Sequence, residues 1–135
     1  MFVLDTDVLS NLMKRVASHT LEERLASTPR EHQFTTSITV GEIVYGAYRN
    51  PDRTAVLLSR LDGMILPNLT VLPFSEEAAR VYGRVKAEME SRGQLIGEAD
   101  LRIAAVALEQ GHTVITGNVR HFQQVPGLSV ENWLA

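Results

Sequence analysis

The sequence predicts an α/β fold in which a mainly parallel central sheet is covered by helices on both faces. The first observation is that short apolar or β-branched runs alternate along the chain with longer segments of helical periodicity, an order typical of layered α/β domains. The second is the length of 135 residues, which is the usual size of a domain built around one core. We therefore expect residues 1–135 to form a single domain.

The first half of the chain is predicted to contain three strands and four helices. An apolar run that ends in Asp5 is typical of a buried strand, and apolar residues at helical spacing follow it at once. Pro29 marks the end of the second helix, and Ser37 is a candidate N-cap of the third. In chain order the predicted elements are strand 2–5, helix 8–12, helix 21–25, strand 33–36, helix 37–50, helix 52–66 and strand 69–72.

The second half is predicted to contain two helices and two strands. Ser75 is a candidate N-cap for a helix that ends at Gly93. The alanine-rich segment Glu98–Gln110 has apolar residues on almost every side, which predicts a helix buried between other elements, and Gly111 ends it. The predicted strands of this half are 113–116 and 128–130.

Composition and charge exclude several classes of function. The chain contains no cysteine, so disulfides, cysteine-based zinc sites and thiol nucleophiles are excluded. Its formal net charge is −3, whereas proteins that bind nucleic acid by broad charge attraction are usually basic. Any contact with nucleic acid is therefore expected to be local or mediated by a metal ion. We also expect a cytoplasmic protein without membrane contact, because no apolar run reaches the ~18 residues of a membrane span and no signal peptide is evident.

Acidic and amide side chains fall near the predicted carboxyl ends of strands, where open α/β sheets place their functional sites. Asp5 and Asp7 follow the first strand, and Asn118 follows the fourth. Two further acids, Glu42 and Asp100, lie within otherwise apolar helical segments. A buried acid costs free energy unless it is paired or bound to a cation. Because oxygen-rich ligand sets suit Mg²⁺ or Mn²⁺, the pattern predicts a divalent-cation site.

Each of these acids also has an explanation that involves no chemistry. Asp5 and Asp7 would serve equally well as caps of the first helix. Asp100 lies in the first turn of its helix, where the macrodipole favours acids, and Glu42 would suit the polar face of its own helix. The joint pattern favours a site, because every acid is predicted at the same edge of the sheet.

Four segments and the carboxyl-terminal tail form a recognisable pattern when they are taken in order. They are residues 3–7 (VLDTD), 37–43 (SITVGEI), 96–105 (IGEADLRIAA), 114–122 (VITGNVRHF) and the tail 125–133. The pattern resembles the PIN domain family, and specifically its VapC group of toxin ribonucleases from bacterial and archaeal toxin–antitoxin pairs. The resemblance covers essentially the whole chain and implies a three-layer PIN-like fold.

The resemblance implies that Asp5, Glu42 and Asp100 are the three recurrent acids of the family, which bind one or two Mg²⁺ or Mn²⁺ ions. Asn118 takes a fourth position that is often acidic, and it would orient a metal ligand or the attacking water. Two positions depart from the family pattern. Asp7 stands where Asn or Ser is usual in the first motif, and His121 stands where an acid often precedes the phenylalanine of the last.

Six further residues are expected to hydrogen-bond to the metal ligands, to add negative charge or to hold phosphates next to the site. Thr6 and Thr116 are expected to donate the hydrogen bonds, Asp7 and Glu98 to add the negative charge, and Arg102 and Arg120 to hold the phosphates.

The function implied is a metal-dependent endoribonuclease toxin that cleaves RNA, such as tRNA or another structured RNA, by means of a metal-activated water. The partners implied are a cognate antitoxin and a second copy of the chain, in a homodimer and in a heterotetramer or larger assembly with the antitoxin. Two alternatives stay open at this point. One is a haloacid-dehalogenase-like phosphatase that uses Asp5 and Asp7, and the other is a PIN-fold module that binds RNA or protein without cleaving it.

Overall fold

The computed structural model describes all residues from Met1 to Ala135. The strands are β1 (Phe2–Leu4), β2 (Gln33–Thr36), β3 (Thr70–Leu72), β4 (Thr113–Ile115) and β5 (Val130–Glu131). The helices are α1 (Thr6–Leu12), α2 (His19–Ala26), α3 (Ser37–Tyr48), α4 (Thr54–Arg60), α5 (Glu76–Ser91), α6 (Glu98–Gln110) and α7 (Val119–Phe122). None of these helices combines the length and the apolar character that a membrane span needs.

All five strands form one parallel sheet in the order β3-β2-β1-β4-β5. From the central strand β1 the chain first adds β2 and β3 on one side and later adds β4 and β5 on the other. The direction of the winding therefore changes between β1 and β4, where Leu4 pairs with Ile115. Ligands of open α/β sheets bind at such a switch point, outside the carboxyl ends of the strands. The predicted α/β class with a parallel sheet is confirmed.

Helices cover both faces of the sheet, with a separate hydrophobic core on each face. Val3 and Val114 pack into the core that contains residues of α5 and α6. Their neighbours Leu4 and Ile115 pack into the core that contains residues of α1, α2 and α3. Neighbouring residues enter opposite cores because successive side chains of a strand point to opposite faces of the sheet. Helix, sheet and helix therefore form the three layers that were predicted.

The ends of two helices show how well the capping signals worked. α6 ends at Gly111, whose φ of 71° lies in the left-handed region that favours glycine. The N-cap of α3 is Thr36 and not Ser37, because the Thr36 hydroxyl accepts the N–H of Thr39 at 3.1 Å. Both residue types are good caps, so the sequence could not decide between adjacent positions.

The single helix predicted over 52–66 is the main error in the assignment of elements. Instead, α4 is followed by a π-helical turn at Leu61–Ile65 and a 3-10 turn at Leu66–Asn68. Gly63 weakens a regular helix at this point and Pro67 cannot continue one. The short helix α7 and the 3-10 turn at Arg30–His32 were not predicted, because a single turn is too short to show periodicity.

Candidate active site

Asp5 stands directly after β1, at the carboxyl edge of the sheet. Its backbone N–H donates to the carbonyl of Ile115 at 3.1 Å, and its Oδ1 accepts the N–H of Val8 at 2.9 Å. The side chain is therefore the N-cap of α1. Only 2% of the residue is exposed. The cap fixes the direction of a carboxylate that has almost no access to bulk water.

Burial gives this carboxyl unusual acid–base behaviour. The pKa of Asp5 is raised from 3.8 to about 7, chiefly by loss of solvation and additionally by the charges of Asp7 and Asp100. Hydrogen bonds from Thr116 and Val8 oppose the rise because they favour the ionised form. Such a carboxyl holds a proton near neutral pH unless a cation takes the place of that proton.

Asp100 reaches the same edge of the sheet from the first turn of α6. Its Oδ2 lies 3.0 Å from Nε2 of His121. Burial raises the pKa of Asp100, His121 opposes the rise, and the charges of Glu42 and Asp7 add to it. These mutual influences show that acids from separate parts of the chain lie within electrostatic reach of one another. Together they form an acid cluster, which consists of Asp5, Asp7, Glu42 and Asp100.

Glu42 is held by a hydroxyl group of the neighbouring helix. The residue is half-buried on α3, and Thr6 of α1 donates to its Oε1 at 2.5 Å. The Thr39 hydroxyl lies 3.4 Å from that of Thr6 and 3.3 Å from that of Thr36. Sequence reasoning identified Thr6 but missed Thr36 and Thr39. The available signal was a threonine at the end of a strand, followed by another on the same face of the helix as Glu42.

Asp7, the fourth member of the acid cluster, and three further residues from the sequence analysis differ in their exposure to solvent. Asp7 is exposed in the first turn of α1, and Thr116 is fully buried after β4. Asn118 is exposed at the N-cap of α7, where its backbone N–H donates to the Thr116 hydroxyl at 2.9 Å. The Asn118 side chain forms no capping hydrogen bond, so its amide is free to meet another group. Arg120 is exposed on α7.

Glu98 belongs to a different group, on the side of α6 that faces α5. Lys86 donates to Glu98 Oε1 at 2.7 Å, and the Tyr82 hydroxyl donates to Oε2. Arg102 lies 3.7 Å from the same Oε2, with its guanidinium over the Tyr82 ring. Lys86 above all, with Tyr82, lowers the pKa of Glu98. These contacts correct the expectation that Glu98 adds negative charge to the acid cluster, and they commit Arg102 to the same group.

The chemistry of the acid cluster suits a hard divalent cation that is bound partly through water. No three acidic or histidine side chains are close enough together to surround one ion directly. Magnesium usually keeps several waters and takes one or two carboxylates, so this loose arrangement fits it. A cation here would also relieve the repulsion and poor solvation that raise the pKa values of Asp5 and Asp100.

The largest cavity of the molecule does not coincide with the acid cluster. This apolar cavity has a volume of about 460 Å³, and its lining includes Leu12, Leu25, Met64 and Leu69. A smaller groove of about 230 Å³ begins at Thr6 and Glu42 and runs between α1 and α3 to Leu57. Of the acid cluster, Glu42 therefore borders an open groove, and none of its acids lines the large apolar cavity; an open groove suits a polymeric substrate better than a small molecule.

Comparison with known proteins agrees with this fold. The PIN domain family matches residues 2–128. Over 98% of both chains, the protein is 33% identical to Ribonuclease VapC2 of Haemophilus influenzae. It is 34% identical to the tRNA(fMet)-specific endonuclease VapC of Salmonella typhimurium, over 98% of this chain and 97% of that protein. In the crystal structure of DNA-bound VapBC from Salmonella typhimurium, one chain superposes with a TM-score of 0.90 at 31% identity, with 98% of this chain and 97% of that one covered. The chain therefore belongs to the PIN domain family, within its VapC group.

Proposed function

We propose that this protein is the endoribonuclease toxin of a toxin–antitoxin pair and that it cleaves RNA with a metal-activated water. The observation that carries the proposal is the acid cluster at the switch point of the sheet, where Asp5 and Asp100 both have raised pKa values. The names of the VapC relatives support the reaction class. Asp5, Glu42 and Asp100 are proposed to hold Mg²⁺ or Mn²⁺, in part through water molecules bound to the ion.

A bound divalent ion supplies a water of lowered pKa and neutralises charge on the scissile phosphate. The chain's own contribution is to hold oxygen atoms in place around that chemistry. The helix cap orients Asp5, and the Thr6 hydroxyl orients Glu42. The free amide of Asn118 is proposed to contact the attacking water or a substrate oxygen. Arg120, exposed on α7, is proposed to pair with a neighbouring phosphate.

The proposed substrate is a structured RNA such as a tRNA. An open groove beside Glu42 can admit a loop of a folded polymer, and one relative is named for a tRNA. The chain has a formal net charge of −3, so long-range attraction does not bring RNA to the site. Local cations, bound metal and arginine, are expected to supply the attraction that the overall charge does not.

A cognate antitoxin is the proposed protein partner. The apolar cavity gives the chain a site for apolar side chains of another polypeptide, away from the acids. Solved relatives include VapBC complexes, one of them from Rickettsia felis with a promoter DNA fragment (TM-score 0.86, 27% identity, 98% of each chain covered). We propose that the toxin also dimerises, and that toxin and antitoxin form a heterotetramer or a larger assembly.

The two alternative functions lack a supporting observation. A phosphatase would need Asp5 as an exposed, ionised nucleophile, but Asp5 is buried and its pKa is raised to about 7. A module that only binds would gain nothing from keeping several acids together at a cost in stability. The match to the PIN domain family argues against the phosphatase, and the relatives named as ribonucleases favour a nuclease over a module that only binds.

The direct test is RNA cleavage by Asp5→Asn, because asparagine keeps the cap of α1 but removes the charge. Purified protein is incubated with tRNA and total RNA in Mg²⁺ or Mn²⁺, and the new RNA ends are sequenced. We expect defined ends with wild type and with the control Asp52→Asn, whose side chain is exposed after α3. We expect none with Asp5→Asn or with a chelator. Full cleavage by folded Asp5→Asn would overturn the proposal.

A further inference from the structure

His121 is the one basic side chain in direct contact with the acid cluster. Its Nε2 lies 3.0 Å from Oδ2 of Asp100, and the two side chains are only 26% and 32% exposed. The imidazole ring stands edge-on to Phe122, with ring centroids 5.9 Å apart and planes at 89°. Because Phe122 is itself buried, the core holds the imidazole with one nitrogen directed at the acids.

The distance of 3.0 Å suits a hydrogen bond, but it also has a second meaning. Two ligands that are 90° apart on an octahedral ion, each at a bond length of about 2.1 Å, are themselves about 3.0 Å apart. Nε2 of His121 and Oδ2 of Asp100 are therefore already spaced as two adjacent ligands of one ion. An ion can bind both atoms without a change in the distance between them.

We propose that His121 Nε2 and Asp100 Oδ2 bind the divalent ion as adjacent ligands and that the nitrogen makes the site prefer Mn²⁺ to Mg²⁺. This inference rests on the proposed function, because it concerns the ion of the same site. Imidazole suits transition metals, whereas Mg²⁺ binds oxygen ligands. Asp5 and Glu42 hold the same ion through bound water, and Asp7, whose charge acts on Asp100, helps to balance the charge of the ion.

The test is pulsed EPR of the Mn²⁺-loaded protein, since electron spin echo modulation detects a nitrogen nucleus bound to the ion. We expect nitrogen modulation in wild type and in His19→Gln, a control in which an exposed histidine of α2 is removed. We expect its loss in His121→Gln and in His121→Glu. In calorimetry, His121→Gln is expected to weaken Mn²⁺ binding about tenfold and Mg²⁺ binding less than about twofold.

The outcomes separate this inference from the proposed function. Wild-type protein without nitrogen modulation, or modulation that survives in His121→Gln, overturns the ligand role of His121. If metal-dependent RNA cleavage is still lost in Asp5→Asn, the nuclease assignment stands although the inference has failed. If wild-type protein binds no Mn²⁺ and cleaves no RNA, both fail. Circular dichroism verifies that each variant is folded, and His121→Glu serves as the test if His121→Gln does not fold.

Discussion

Glu98 and Asp100 lie on the first turn of the same helix, yet their carboxyl groups behave in opposite ways. Glu98 faces α5, where Lys86 and Tyr82 lower its pKa. Asp100 faces the edge of the sheet, where burial and other acids raise its pKa. Both experience the same helix dipole, so the difference comes from what each side chain meets. The difference shows that burial beside other acids, and not position on a helix, distinguishes an acid of the candidate site, and at Asp100 these effects exceed the opposing effect of His121.

The largest expected effect is a difference in RNA cleavage between variants of these two acids. Asp100→Asn should lower the rate of RNA cleavage by at least about a hundredfold, because loss of a metal ligand costs more than loss of a residue that only orients one. Glu98→Gln should leave the rate within about twofold, because Glu98 only joins α6 to α5. Rates are measured on one defined RNA at saturating Mn²⁺. Equal losses in the two variants would contradict the division into two groups.

The next effect concerns stability in the absence of metal. An acid whose pKa is raised on folding stabilises the protein fully below the unfolded pKa near 4, and this contribution is lost as pH rises through about 7. Metal-free wild type should therefore lose stability between pH 5 and pH 8, by at most about 3 kcal/mol for a pKa that shifts from 3.8 to about 7. Asp5→Asn should flatten that dependence and should have a larger free energy of unfolding than wild type at pH 8. Urea denaturation at both pH values gives the measurement, and parallel curves for the two proteins would refute it.

A smaller effect is expected at the hydroxyl that orients Glu42. Thr6→Val removes the hydrogen bond to Oε1 but keeps the shape of the side chain. Cleavage should fall about tenfold, as is usual when a partner of a metal ligand is lost. Thr6→Ser should restore most of the activity, which distinguishes loss of the hydroxyl from loss of packing. Failure of serine to restore activity would show that the methyl group matters and the hydrogen bond does not.

The smallest effect is expected at Glu98 and its partner Lys86, where the change is one of pKa. Lys86→Met should let the pKa of Glu98 rise towards its usual range, because the lysine is the main cause of its low value. A lowered pKa stabilises the protein above the unfolded pKa of the acid, and this contribution is lost as pH falls. Because these side chains are exposed, the melting temperature should change little. An NMR titration of Glu98 in both proteins checks the direction, and an unchanged pKa would contradict the pairing.

The fold and the general place of the site could be predicted because their signals are local. Alternating strands and helices predicted a layered parallel sheet, and Asp5 directly after the first strand placed an acid at the carboxyl edge. The two explanations that the sequence offered for Asp5, helix capping and metal binding, do not exclude each other. One oxygen of its carboxyl caps α1, and the same carboxyl is buried beside other acids.

The remaining features depend on how helices rotate and pack, which no local pattern encodes. Nothing in the order of residues indicated that Glu98 turns towards Lys86 while Asp100 turns towards His121. The contact with His121 needs α7, a helix of a single turn that periodicity cannot predict. The hydroxyls of Thr36 and Thr39 join the site only because β2 ends beside β1.

The acid cluster is proposed to concentrate negative charge that a divalent cation balances. This is tested by a carbon-13 NMR titration of the Asp5 carboxyl in the metal-free protein and in the presence of Mg²⁺, which is diamagnetic and does not broaden the signal. We expect a pKa near 7 in the metal-free protein and a large fall when the cation is added. A carboxyl that titrates near its ordinary value of 3.8 and does not respond to the cation would contradict the claim.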